Sequence, residues 1–178
     1  MSPARSFFTH NAQGLVNDTY RRLLVASYLT AFLFVLAPVV DILANVWPWD
    51  FGNEQWRFGL AGVTSNYLIS LIFGLLMAAW IAGLREHRGM LFAVAGVSAL
   101  VLLLLGVLTL LFVLDTIQVR TVVREEQLQL FKIGAVKTLF KVLASEAALL
   151  VLAVAAFKAA AGIEKPVKGG AAPLVREA

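Results

Sequence analysis

The side chains that could do chemistry in this chain are few and widely separated. Its two histidines stand apart, His10 near the N-terminus and His87 in a short turn reading Arg85-Glu86-His87-Arg88, where a solvated or headgroup-facing ring is expected. There is no cysteine, which excludes disulfides, thiolate metal sites, thioether haem attachment and cysteine nucleophiles. No phosphate-cradling P-loop, dinucleotide glycine pattern, HExxH or GxSxG run occurs. What remains is a set of polar residues inside apolar stretches: Asp41, Asn66, Asp115, Lys137, Lys141 and Glu146. Carboxylates at such depth can relay protons or hold a cation, but single carboxylates on separate segments fall short of a metal-ligand set. No catalytic residue, cofactor or metal site is therefore expected.

The elements that must position these residues are membrane helices. The chain of 178 residues is 60% hydrophobic and only 15% charged, whereas a soluble domain is nearer half apolar and a quarter charged. A helix needs about 20 apolar residues to cross the hydrocarbon. Four stretches qualify, at 21–47, 57–84, 89–114 and 134–160, within a membrane domain covering 21–160. Asn17, Asp18 or Thr19 can cap the first. That first stretch is too long for a signal-peptide core and is expected to stay in the mature protein. Residues 1–20 form an N-terminal segment, and 161–178, rich in Pro, Gly and charge, a disordered tail. The net charge of +4 comes from residues scattered over helix ends and loops, without a basic stripe or stacking platform, so no nucleic-acid partner is expected.

Orientation follows from the bias of Lys and Arg toward the cytoplasmic side. Arg5, Arg21 and Arg22 precede the first span, while the next loop carries Asp50 and Glu54 and only Arg57. Both termini are then cytoplasmic, with nine basic residues inside against six outside. Trp47, Trp49 and Trp56 flank the outer loop as an interfacial belt. The extracytoplasmic connection 115–133 reads either as helical extensions of the third and fourth spans, which we favour, or as a hairpin, with Gly134 the expected kink.

Helices in lipid associate through small residues and buried polar contacts. Ser70, Gly74, Ala78 and Ala82 recur every four residues on the second span and predict a packing face. Ala144, Ala148 and Ala156, flanked by Ala147, Ala155 and Ala159, predict another on the fourth. Pro38 should bend the first span and free a carbonyl near Phe34. The polar set is expected to gather in the outer third of the bilayer, Asp115 ending the third span and Lys141 pairing with Asp41 or Glu146.

A run Trp56-Arg57-Phe58-Gly59-Leu60, two spans joined by a short basic turn, a third span ending Leu114-Asp115-Thr116-Ile117-Gln118-Val119-Arg120, and a Lys-bearing fourth span from Val136 to Ala147 resemble the HpsJ-like bacterial membrane proteins over roughly residues 46–160. The resemblance implies an envelope accessory protein associated with exopolysaccharide or exosortase-type systems, and carries no catalytic residue. Together these readings predict an all-α integral membrane protein, a four-helix transmembrane bundle of the cell inner membrane. It would be a non-enzymatic scaffold whose partners are the bilayer and other membrane proteins or its own copies. The rivals are a small proton- or ion-conducting protein using the acidic residues and, with no positive sign in the sequence, a lipid-acting enzyme.

Overall fold

A computed structural model describes the backbone of residues 4–163 and the side chains from Thr19 onward. The path is α1 (Ala4–Val46), α2 (Glu54–Leu84), α3 (Arg88–Val119), a single 3-10 turn at Glu125–Gln127, and α4 (Leu128–Gly162). Apolar stretches at Thr19–Val46, Glu54–Leu84, Arg88–Val119 and Glu125–Gly162 are each long enough to cross a membrane. The shortest, of 28 residues, already extends about 42 Å at 1.5 Å per residue, against a hydrocarbon thickness of about 30 Å. Every one of these stretches is longer than the hydrocarbon is thick. The helices extend beyond the expected spans. Helix α1 starts at Ala4, inside the segment read as a separate N-terminal piece, and α4 runs on to Gly162, into the segment read as tail. The rest of that tail, from residue 164, lies outside the described residues.

The ends of the helices have identifiable causes. Asn53 caps α2, its side-chain oxygen accepting from the amides of Gln55 at 2.9 Å and Trp56 at 3.2 Å. Helix α2 closes in a Schellman turn, the His87 amide bonding the Ala82 carbonyl at 2.9 Å and the Glu86 amide the Gly83 carbonyl at 3.2 Å. Glu86 occupies the left-handed position with φ 53°. Between α3 and α4 there is no hairpin of strands. Helix α3 continues past Asp115 to Val119, a turn follows, and α4 begins at Leu128 and runs through Gly134, so the helix breaks before that glycine.

Helix α2 is the centre of the molecule. It packs against α1, α3 and α4, and α3 packs against α4, whereas α2 is the one helix that α1 meets. The result is a three-helix core with α1 docked on its outside. The predicted small-residue face of α2 is buried at Gly74, Ala78 and Ala82, with Ser70 half-buried. Gly74 is where backbones approach most closely: a Cβ built there would stand 2.8 Å from the Ala31 carbonyl and 2.9 Å from Phe34 Cβ. Pro38, buried one turn further along α1, removes the amide that would bond the Phe34 carbonyl, and that carbonyl instead accepts from Ser70 Oγ at 3.4 Å. The packing face and the proline are thus two halves of one contact.

The predicted face of α4 is corrected. Ala156 is buried, but Ala144, Ala147, Ala148, Ala155 and Ala159 are exposed; α4 buries Ala135, Val142, Ser145, Leu149, Leu152, Ala156 and Ala160 instead. The buried stripe mixes small residues with Val142, Leu149 and Leu152, and the leucines meet Leu105 of α3 in one cluster. Leu71 lies beside the small-residue face of α2 and is itself buried, 5% exposed, in that core.

Candidate functional site: a polar ladder in one half of the bundle

Three polar bridges descend from the end of the bundle that carries Trp47 and Trp49, each joining a different pair of core helices. The uppermost links α2 to α3. Arg57, in the first turn of α2, makes a two-pronged ion pair with Asp115, Nη2 to Oδ1 at 2.6 Å and Nε to Oδ2 at 3.0 Å. Asp115 is 1% exposed. Flat guanidinium and flat carboxylate matched in this way form the strongest kind of side-chain pair. The third arm of Arg57, Nη1, donates to the Phe51 carbonyl at 2.7 Å, tying the loop to the same pair. Beneath it Phe58 stacks on Phe112 at 5.0 Å and Phe131 at 5.1 Å, one ring from each core helix. Above it an aromatic chain runs Trp47, Trp49, Phe51, Trp56 with centroid separations of 6.1, 6.0 and 5.0 Å.

The second bridge links α4 to α2, Lys141 Nζ donating to Asn66 Oδ1 at 2.8 Å. The third links α3 to α4, Thr109 Oγ1 donating to Glu146 Oε1 at 2.6 Å. Glu146 stands 18 residues after Leu128 in the 35-residue α4, at its middle.

The expected partnership of Lys141 with Asp41 or Glu146 is not formed. Asp41 lies on α1, which does not meet α4, and it is exposed; its carbonyl accepts from Asn45 Nδ2 at 2.8 Å. Lys141 turns to Asn66 on the neighbouring helix, and Glu146 turns the other way, to α3. Lys137 is exposed and has no described partner. Asp115 does not end its span but sits a full turn inside α3. Two members of the ladder were not singled out from sequence: Arg57, read only as a loop charge, and Thr109, an ordinary hydroxyl in an apolar run. Among the described residues no three His, Asp or Glu side chains come together as a metal site would require.

The opposite end is organised by the α2–α3 turn. His87 Nδ1 lies 2.9 Å from the Tyr28 hydroxyl, and the two rings stack at 6.1 Å. The Arg85 guanidinium sits 4.1 Å over the Tyr20 ring. His87 is thus a docking point for α1 rather than a purely solvated ring. His10 lies among residues whose side chains are not described. No protein family, curated protein or solved structure matches the chain.

Proposed function

We propose that the chain is a non-enzymatic, multi-pass accessory or scaffold protein of a bacterial cytoplasmic membrane. In this reading both termini are cytoplasmic and the aromatic-rich end faces outward, toward an envelope or exopolysaccharide system of the kind HpsJ-like proteins serve. One observation carries the reading: three polar bridges join the core helices, one to each pair. Groups consumed in holding helices together are not free to bind or move a substrate. A conduit would also need polar groups through both halves of the bundle. Beyond Glu146, toward the His87 end, the described interior offers the Ser98 hydroxyl alone as a buried polar side chain, while the hydroxyls of Ser27 and Thr30 bond the backbone of their own helix.

A second reading has one observation in its favour. Glu146 meets a hydroxyl and no cation among the described residues, and an intramembrane carboxyl without a counter-charge is a candidate proton carrier. Liposomes holding the purified protein and a pH-sensitive dye separate the two. The scaffold reading expects no flux above protein-free vesicles under an imposed pH gradient. Flux in the parent protein that Glu146→Gln abolishes would replace the scaffold by the conductor.

A further inference from the structure

We infer that the groove between α3 and α4 near the His87 end is a binding site for an anionic phospholipid, the acyl chain lying in the groove and the phosphate between Arg88 and Lys158. The groove, of about 590 Å³, is lined by Phe92, Ala95, Gly96 and Ala99 of α3 and by Ala153, Val154, Phe157 and Lys158 of α4. Its floor is open because four of these are Ala or Gly, and its mouth is framed by Phe92 and Phe157, in edge contact at 5.8 Å. The size falls in the range of sites that hold small ligands, roughly 300–1,000 Å³.

Charge selects the occupant. Lys158 lines the groove, and the Arg88 guanidinium lies 5.4 Å over the Phe92 ring at its mouth. Arg88 Nη1 reaches the Ile163 carbonyl at 3.3 Å, which draws it across from α3 to α4. Among the described residues neither cation has a carboxylate partner, Arg57–Asp115 being the one ion pair there. At this end of the molecule the described basic residues are Arg21, Arg22, Arg85, Arg88 and Lys158, and Glu86 is the one described acid. Helix α3 also begins here, at Arg88, without a side-chain cap, so its N-terminal partial charge adds to the field at the mouth. Basic pockets between helices at a membrane surface recognise anionic headgroups in this manner. A zwitterionic lipid would fill the groove but leave the two cations uncompensated.

The test uses the full-length protein in a mild zwitterionic detergent, titrated with phosphatidylglycerol, with phosphatidylcholine of the same chains, or with glycerol phosphate. Thermal unfolding and lipid retention in native mass spectrometry are read. Phosphatidylglycerol should raise the melting temperature and be retained well above phosphatidylcholine, and glycerol phosphate should do nothing. Arg88→Gln with Lys158→Gln should weaken phosphatidylglycerol by about 30-fold, the worth of two basic residues at a membrane surface. Gly96→Leu is the independent variant: a Cβ at Gly96 meets nothing within 4 Å, so this change should fill the groove, keep the parent melting temperature without lipid, and lose the response. Equal responses to the two lipids, a full response in Gly96→Leu, a response to glycerol phosphate alone, or a lipid-independent dimer cross-linked through Gly96→Cys would each overturn the assignment.

Discussion

At the scale of single residues the decisive pair is Arg57 with Asp115. A buried carboxylate is tolerable only while its partner remains, and removing one member of such a pair costs about 3–5 kcal/mol. Arg57→Met should therefore destabilise the protein by that amount in a denaturation series in mild detergent, whereas Arg57→Met with Asp115→Leu should recover most of it. Glu86 offers a change of opposite sign. It holds φ 53° where an L side chain is disfavoured by about 1–2 kcal/mol and glycine is not. Glu86→Gly should raise unfolding stability by about 1 kcal/mol by the same measurement. The Arg57 pair was within reach of the sequence. In a helical hairpin closed between Leu84 and Arg88, residues equidistant from the turn lie at one height, and Arg57 is 27 residues before Leu84 as Asp115 is 27 after Arg88. Arg57 sits beside an exposed loop, and charge position alone does not tell a pairing role from an orienting one.

At the scale of elements, the spans, the α2 packing face and the carbonyl that Pro38 frees were readable because each rests on a local periodicity or a missing amide. Gly74→Leu should cost at least the roughly 1–3 kcal/mol usual for overpacking, since the space is bounded by the backbone carbonyl of Ala31 at 2.8 Å, which cannot swing aside. Ile69→Leu, on a side chain 70% exposed, is the matched control and should stay within about 0.5 kcal/mol. Equal losses in a thermal melt would place the Gly74 face toward lipid. The α4 face was misread for a physical reason. Small residues permit close approach but do not compel it, and on α4 the stripe through Val142, Leu149 and Leu152 buries more apolar surface than the alanine stripe beside it could.

At the scale of the whole molecule, helix adjacency was the part the sequence did not carry. Pairing Asp41 with Lys141 or Glu146 presumed a bundle in which the first and fourth helices touch, whereas α1 leans on α2 alone. No local pattern distinguishes a ring of four helices from a triangle with one helix outside. Acidic side chains gather toward the end that carries Trp47, where they offset the basic ones, whereas at the His87 end five described basic residues face Glu86 alone among the described acids. That the chain crosses a membrane is the central claim, and the absence of native cysteine makes it directly measurable. Single Gly52→Cys, Gln127→Cys and Glu86→Cys variants, chosen at exposed turn positions and sparing the Asn53 cap, are treated with a membrane-impermeant maleimide on intact and on permeabilised cells. With the loop of Gly52 outside, Gly52→Cys and Gln127→Cys should label in intact cells and Glu86→Cys only after permeabilisation. Labelling of Glu86→Cys together with Gly52→Cys from the same side of an intact membrane would contradict that crossing.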